Sequence, residues 1–275
     1  MESRALRIGL GVWTALVVAF LWIPLVIIAL YAFNGSVIQS WPISSWSTKW
    51  FSVAWHDDFL RSSLRLSVEV GLAATAVALV LGTMASFAIH RFSFFGRDSV
   101  NFLLLLPIAL PGIITGMALN SFFSFAGVAL SIWTIVIGHA TFCVVLVYNN
   151  VLARLRRTSP SLVEASMDLG ADGWQTFRYI TWPTLSTALV AGGLLAFALS
   201  FDEVIVTTFT AGAQTTLPIW ILDNLRQGQQ LPVVNVVAFA IIGLTVIPVW
   251  VSQKLTTAGD TPAVGRAAAV TAQTE

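Results

Sequence analysis

Six long apolar runs limit what this chain of 275 residues can fold into. Each run is long enough to cross a hydrocarbon layer about 30 Å thick as a helix. Because lipid offers the backbone no hydrogen bonds, an unclosed segment crosses it only as a helix. The runs, with approximate ends, are Ile8–Phe33, Leu64–Ile89, Val100–Phe123, Leu130–Leu152, the stretch from after Pro183 to Phe201 or Phe209, and Val233–Val251. We therefore predict an all-α integral membrane protein with six transmembrane helices.

The composition agrees with this class and disfavours several others. Hydrophobic residues make up 57% of the chain and charged residues only 10%, whereas soluble domains carry roughly 25% charged residues. The net charge of +1 provides no basic excess to attract nucleic acid. Cys143 is the only cysteine and there are three histidines, which argues against a disulfide and against a metal site. We expect no cofactor to be bound by this chain.

The distribution of Lys and Arg predicts the orientation. With an internal N-terminus, ten of the fourteen basic residues lie in cytoplasmic segments and four in outer segments, which agrees with the positive-inside rule. We expect residues 1–7 to be a cytoplasmic N-terminus and residues 8–256 to form the membrane domain. The first run is too long for a signal peptide and has no cleavage site after it, so it is expected to remain as a span. Residues 257–275 are expected to form a disordered cytoplasmic tail.

The first outer segment, Asn34–Ser63, is rich in tryptophan. Its tryptophans are Trp41, Trp46, Trp50 and Trp55. One interpretation is an aromatic belt or a short helix that lies at the outer membrane interface. The other is a lid over a central pathway or a docking surface for an outer partner, and the residues alone leave both open.

The third run contains the sequence LPIALPGIITG, with prolines at Pro107 and Pro111 and glycines at Gly112 and Gly116. Proline in a membrane helix frees backbone carbonyls and bends the helix, and glycine lets a neighbouring helix approach closely. These residues indicate either close helix packing alone or a bend beside a central pathway.

The connection between the fourth and fifth runs, residues 158–183, predicts two short helices. Ser159 is a suitable N-cap residue for the first, with Pro160 at the first helical position. An apolar stripe follows at helical spacing, and Gly170 is a typical C-terminal stop. The stripe consists of Leu162, Val163, Ser166, Met167 and Leu169.

The second helix of this connection is expected to begin at a capping box of Asp172 and Gln175. It carries Trp174, Phe177 and Ile180 before Pro183 leads into the fifth run. A helix this short is unstable alone and needs a surface that buries its apolar stripe. That surface is either the chain's own membrane helices or a separate cytoplasmic protein, and periodicity does not decide between them.

The same connection resembles the EAA loop of binding-protein-dependent ABC importers. The family pattern is E-A-A, three residues, G, nine residues, I, one residue and L-P, and the chain matches this spacing without a gap. Ser166 replaces the second alanine, and Trp182 replaces the leucine. The resemblance implies that the first helix is a coupling helix, which sits in a groove on an ATPase subunit. The implied coupling residues are Glu164, Ala165, Ser166, Leu169, Gly170, Ile180 and Pro183.

Other stretches are similar to spermidine/putrescine permeases of the C type, so that the resemblance covers nearly the whole chain except the tail. They include LPIALPGIITGMAL, SFDEVIVTTFTAG and TLPIWILDNLRQGQQLPVVNVVA. The resemblance implies the type I ABC importer permease fold in a bacterial inner membrane. It also implies a complex with a second permease, two cytoplasmic ATPase subunits that carry ATP and Mg, and an extracytoplasmic polyamine-binding protein. Transport would proceed by alternating access.

Acidic and aromatic residues near the outer ends of the spans are candidates for the substrate pathway. They are Asp202, Glu203, Glu69, Trp46 and Trp50. Carboxylates would replace the hydration of a polyamine, and aromatic faces would add cation–π attraction. Adjacent helical positions point about 100° apart, so only one of Asp202 and Glu203 is expected to face the pathway, unless both are solvated. Glu69 lies four residues after Arg65, which offers an ion pair as the alternative.

Rival functions remain open to different degrees. The chain has no phosphate-binding G-x-x-x-x-G-K-[ST] and no H-E-x-x-H or G-x-S-x-G, so we expect a non-catalytic subunit. An ion-coupled secondary transporter is the alternative from another class, but such folds often show internal repeats, and none is evident. Importers of ferric iron, thiamine, sulfate or molybdate share the EAA loop. The acidic pair favours a cation over the anions.

Overall fold

The computed structural model describes residues 4–159 and 161–259. These residues form helices and no strand, apart from an isolated bridge between Asn34 and Trp46. The helices are α1 (Arg4–Ala32), α2 (Lys49–His56), α3 (Asp58–Arg91), α4 (Arg97–Ala109), α5 (Gly112–Phe125), α6 (Ile132–Arg157), α7 (Ser161–Asp168), α8 (Gly173–Thr176), a π segment (Phe177–Thr181), α9 (Trp182–Phe201), α10 (Ile205–Thr210), α11 (Leu217–Gln227) and α12 (Leu231–Gly259). The chain divides into unit 1, Met1–Asp57 with Asn224–Glu275, and unit 2, Asp58–Asp223.

Four helical stretches of the described chain are long and apolar enough to cross a membrane. They are Leu6–Ala32, Asp58–Arg91, Ile132–Arg157 and Gly173–Phe201, and the bent pair α4–α5 makes a fifth crossing if it is one span. A shorter apolar stretch, Leu231–Thr245, lies in α12 where the sixth span is expected. The all-helical membrane class is confirmed, while the count of six spans stays a prediction.

The third run forms two helices, and a bend was one of the two alternatives that its prolines and glycines left open. α4 and α5 meet at an angle of 104°. Leu110, which precedes Pro111, is extended with φ −81° and ψ 142°, as residues before proline usually are. Pro111 has no N–H to continue the hydrogen bonds of α4. A bend is therefore present in the third run, while its position beside a central pathway stays a prediction.

The expectation of a separate second helix in the connection 158–183 is wrong. α8, the π segment and α9 form one continuous helix, Gly173–Phe201. Pro183 cannot donate to the carbonyl of Tyr179, and its ring would press against that carbonyl in a regular α-turn. The wider turn just before it avoids this conflict, since the Trp182 N–H bonds to the carbonyl of Phe177, five residues back.

The core of unit 2 is built around α6, which packs against both α3 and α9. In a membrane, helices associate through small residues and interhelical hydrogen bonds. A Cβ on Gly82 would lie 2.8 Å from the carbonyl oxygen of Val144, so α3 and α6 approach closely there. The buried Ser86 hydroxyl donates to the carbonyl of Tyr148 at 2.9 Å. The short helix α10 packs against α6 of this framework.

Unit 1 consists of α1, α2 and α12, with α12 packed against the other two. The rings of Phe33 and Phe51 lie 5.1 Å apart, and Phe239 of α12 stands edge-on to Phe33 at 5.5 Å. α2 confirms that the tryptophan-rich segment contains a short helix. α12 continues to Gly259, so residues 257–259 are helical rather than disordered. The rest of the expected tail, 260–275, lies outside the described residues.

Candidate functional site

Gly170 ends α7 in the way that the sequence predicts. It has a φ of +85°, a left-handed conformation that glycine adopts at no steric cost. The Gly170 N–H bonds to the Met167 carbonyl at 2.9 Å, and the Ala171 N–H bonds to the Ser166 carbonyl at 3.0 Å. These two bonds form a Schellman motif, which satisfies carbonyls at the helix end. A Cβ at residue 170 would meet no atom within 4 Å, so its backbone conformation, not space, requires glycine.

Most of the apolar stripe of α7 stays exposed in this chain, although Val163 and Ser166 are half-buried. Leu169 is 89% exposed and Leu162 is 50% exposed, and no residue of α7 is buried. Of the two surfaces considered for this stripe, the chain's own described helices do not bury it. α7 begins at Ser161, and the predicted capping role of Ser159 depends on Pro160, which lies outside the described residues.

Hydrogen bonds fix α7 to the helix that follows. The Ser166 hydroxyl lies 2.9 Å from the hydroxyl of Thr176, which is 5% exposed. The predicted capping box is confirmed, because the Gln175 N–H donates to Asp172 at 2.7 Å and the Asp172 N–H donates to the Gln175 side chain at 2.9 Å. α7 is therefore held at a defined angle on the continuous helix 173–201.

Aromatic side chains continue the exposed surface beyond α7. The rings of Trp174 and Phe177 stack at 5.7 Å, and Trp182 lies 6.3 Å from Phe177. All three rings are exposed, as is Pro183, whereas Ile180 is half-buried. The connection 158–183 thus presents an ordered apolar surface with two exposed acidic residues, Glu164 and Asp168, on its first helix.

A second candidate region lies at the break between α9 and α10, where Asp202, Glu203 and Val204 are outside both helices. The backbone N–H of Asp202 still bonds to the carbonyl of Ala198 at 3.2 Å, so Asp202 is the C-cap of α9. Its side chain is exposed. The carboxylate of half-buried Glu203 accepts the backbone N–H of Val206 at 2.9 Å and so caps α10.

The buried ring of His139 connects the two sides of this break. His139 lies on α6 and is 1% exposed. Its Nδ1 lies 2.7 Å from the hydroxyl of Ser200, and its Nε2 lies 2.8 Å from the hydroxyl of Thr207. The Thr207 hydroxyl in turn donates to the carbonyl of Glu203 at 2.7 Å.

Three neighbouring residues hold α10 against α5 and α6. The Asn120 amide donates to the carbonyl of Phe209 at 2.7 Å, and the Thr134 hydroxyl donates to the carbonyl of Thr210 at 2.7 Å. A Cβ on Gly138 would lie 3.1 Å from Val206, which shows how closely α10 approaches α6. Only six residues long, α10 depends on these contacts for its position.

The other pathway candidates are engaged in local contacts. The Trp50 indole N–H donates to the carbonyl of Asn34 at 2.9 Å, and Lys49 Nζ lies 4.6 Å from the centre of the same ring. Trp46 is exposed. Trp46 and Trp50 belong to unit 1, whereas Asp202 and Glu203 belong to unit 2. That the two tryptophans and the acidic pair line one pathway therefore stays a prediction. Glu69 pairs with Arg65 at 2.7 Å, which is the alternative considered for it.

Comparison with known proteins decides the family. The family described as "Binding-protein-dependent transport system inner membrane component" matches residues 78–256. The chain belongs to this family. It is 35% identical over 234 residues to the putrescine transport system permease protein PotI of Escherichia coli strain K12, covering 82% of each chain. It is 30% identical over 247 residues to the spermidine/putrescine transport system permease protein PotC of the same strain, covering 89% of this chain and 91% of the relative.

A solved structure confirms the fold of the permease. The chain matches a subunit of a bacterial ABC transporter involved in the import of the acidic polysaccharide alginate, with a TM-score of 0.72 and 17% identity. The match covers 92% of this chain and 98% of that one. The all-α ABC importer permease fold is therefore shown, and a permease of this family works together with other components of an ABC importer.

The family match includes the connection 158–183 and the α9–α10 break, whereas Trp46, Trp50 and Glu69 lie before its first residue. Sequence reasoning missed the role of His139 and Thr207. The available signal was a lone histidine within the fourth apolar run, since ionisable residues in a membrane helix are costly and usually functional. In the part of the chain that the structure describes, no three His, Cys, Asp or Glu side chains are grouped to hold a metal ion.

Proposed function

We propose that this chain is one of two permease subunits of a polyamine importer and carries no catalytic site of its own. Its partners are a second permease, two cytoplasmic ATPase subunits that hold ATP and Mg, and an extracytoplasmic polyamine-binding protein. The chain binds no cofactor. Both termini and the connection 158–183 face the cytoplasm, in agreement with the positive-inside distribution of Lys and Arg.

The observation that carries this proposal is the exposed, rigidly held apolar surface of the connection 158–183. α7 is too short to be stable alone, yet a Schellman motif and the Ser166–Thr176 bond hold it in place. Its stripe remains uncovered, with Leu169 89% exposed. An ATPase subunit that buries this stripe could push α7, and the continuous helix 173–201 would carry the displacement into the membrane. Glu164, Ala165, Ile180 and Pro183 complete this proposed coupling surface.

The relatives' names and the α9–α10 break support a polyamine as the substrate. PotI and PotC are named as putrescine and spermidine/putrescine permeases. Asp202 caps the C-terminal end of α9, where the helix dipole is negative and attracts cations. Glu203 occupies the positive end of α10 with its carboxylate. The break therefore presents negative charge, which suits a chain of ammonium groups. We assign the direct pathway role to Asp202, with Glu203, Glu69, Trp46 and Trp50 as further candidates.

The test is uptake of radiolabelled putrescine and spermidine by cells that lack the gene for this chain and carry it on a plasmid. The wild-type chain is expected to restore uptake. Glu164→Ala should reduce uptake by about tenfold or more, because the coupling surface loses its contact, while the amount of permease in the membrane is unchanged. The matched control is Arg178→Ala, an exposed residue of the same connection, which should retain uptake.

Two results would contradict the proposal at different points. Restoration of sulfate, molybdate, thiamine or ferric iron uptake, with none of either polyamine, would make the substrate assignment wrong. Full polyamine uptake by Glu164→Ala would make the coupling assignment wrong while leaving the substrate assignment intact.

A further inference from the structure

The side chain of His139 bridges the break between α9 and α10. α9 ends at Phe201 and α10 begins at Ile205. The backbone N–H groups of Asp202 and Glu203 bond back to α9, to the carbonyls of Ala198 at 3.2 Å and Ser200 at 3.4 Å. The His139 ring comes from a third helix and contacts the last turn of α9 through Nδ1 and the first turn of α10 through Nε2. The distance between two ring nitrogens is fixed, so the ring acts as a rigid spacer between the two helix ends.

The direction of each hydrogen bond follows from the chemistry of the groups. The Thr207 hydroxyl lies 2.7 Å from the Glu203 carbonyl in a geometry for donation, which favours acceptance by this hydroxyl of a proton from His139 Nε2. In this arrangement the ring carries its proton on Nε2, and Nδ1 accepts from the Ser200 hydroxyl at 2.7 Å. Every polar atom of the ring is satisfied in a buried site.

This chain of bonds ends at the backbone of the acidic pair. The Glu203 carbonyl accepts from Thr207, and the Glu203 carboxylate accepts the Val206 N–H. Asp202 stands between the Ser200 and Thr207 attachment points, and no hydrogen bond to its carboxylate occurs among the described residues. An apolar side chain would fill the position of His139 without the cost of burying a polar ring. The ring therefore indicates a role beyond filling space.

We propose that His139 is a positioning residue for the substrate pathway, bridging Ser200 and Thr207 so that the α9–α10 break holds Asp202 towards the moving cation. This inference rests on the proposed function, because it assigns the pathway role to Asp202. The ring does not contact the substrate. It acts by fixing the backbone that carries the carboxylate.

The first test measures the position of residue 202 without any substrate. Cys143→Ala removes the only cysteine of this chain, and Asp202→Cys then provides the single thiol of this subunit, whose labelling is read on this subunit after the complex is separated. The rate of labelling by a cationic, membrane-impermeant methanethiosulfonate reports whether this thiol faces water. His139→Leu should lower this rate by about fivefold or more, and His139→Gln, which keeps a donor near Nε2, should restore much of it.

The second test separates positioning from simple loss of folded protein. The complex is purified, reconstituted in vesicles and assayed for putrescine transported per ATP hydrolysed. His139→Leu and Thr207→Val should each lower this ratio by about tenfold with the ATPase rate retained. Combined with Asp202→Asn, His139→Leu should have little further effect, because both changes remove the same contribution. The control is Ser86→Ala, which removes another buried hydrogen bond to α6. It should leave both the ratio of putrescine transported to ATP hydrolysed and the labelling rate unchanged.

An unchanged labelling rate in both His139 variants would overturn the proposal. So would a parallel loss of transport and ATP hydrolysis that His139→Gln does not rescue, since this would show a purely structural role. Labelling does not depend on which solute is moved. A wild-type complex that transports no polyamine but shows the labelling change would refute the proposed substrate and still support positioning by His139.

Discussion

Ser166 shows how one side chain adapts a shared pattern to this chain. It stands where the family pattern has a second alanine, and its hydroxyl bonds to Thr176 at 2.9 Å. The serine is small enough to keep α7 close to α8, and the bond stabilises the contact. Neither partner could be inferred from the sequence, because the nine residues between them were expected to include the start of an independent helix.

The residue-scale prediction concerns Gly170, whose φ of +85° is the reason for glycine at this position. Gly170→Asn should keep most of the uptake, since asparagine tolerates this conformation at a helix end. Gly170→Val should lose most of it, because a left-handed conformation costs an ordinary residue about 1–2 kcal/mol and valine is β-branched. Uptake per amount of membrane permease measures both. Equal loss in the two variants would show that an ATPase subunit requires bare backbone there.

At the scale of elements, proline has two different effects in this chain. Before Pro111 the chain becomes extended, and α4 and α5 meet at 104°. At Pro183 the helix continues, because the π segment widens the turn that precedes the ring. Proline lacks the N–H that an α-helix needs, so the conformational preference of proline alone predicts a break at both positions. The two sites differ in the backbone before each proline, which is extended at Leu110 and forms a wider turn at Phe177–Thr181.

The element-scale prediction compares two glycines of α5. A Cβ on Gly116 would lie 2.6 Å from the ring of Phe209, whereas a Cβ on Gly112 would meet Ile205 at an ordinary 3.7 Å. Gly116→Ala should destabilise the contact between α5 and α10 by about 1–3 kcal/mol, and Gly112→Ala should not. Thermal unfolding of the purified permease in detergent measures the difference. Phe209→Ala should rescue Gly116→Ala, and a failure to rescue would contradict the assigned contact.

At the scale of the whole molecule, the membrane domain consists of two units with different internal organisation. In unit 2, α6 is central and carries much of the buried core. Unit 1 combines segments from both ends of the chain, and its long α1 exposes many large apolar side chains. Such a surface suits lipid or other membrane helices, as expected for a permease that works with partners.

The molecule-scale prediction is the orientation. In the Cys143→Ala background, a cysteine introduced by Ser40→Cys should react with an impermeant maleimide in intact cells. A cysteine introduced by Ser93→Cys should react only after the membrane is permeabilised, because Ser93 follows the second span on the predicted cytoplasmic side. Both side chains are exposed, so access to water is matched. The reverse labelling pattern would overturn the predicted orientation.

The sequence by itself determined the membrane class, the family and the main features of α7, since these depend on hydrophobicity, motif spacing and capping residues within a few positions of one another. Gly170 and the Asp172–Gln175 box were predictable for that reason. Only the tertiary structure decided the bend of the third run, the continuous helix 173–201 and the bridge from His139 to Ser200 and Thr207. The bridge joins residues 61 and 68 positions apart, and such contacts arise only when α6 packs against α9 and α10. The tertiary structure therefore adds one feature to Asp202 and Glu203 that the sequence does not show. A buried ring on another helix is hydrogen-bonded on both sides of the break that carries the two residues.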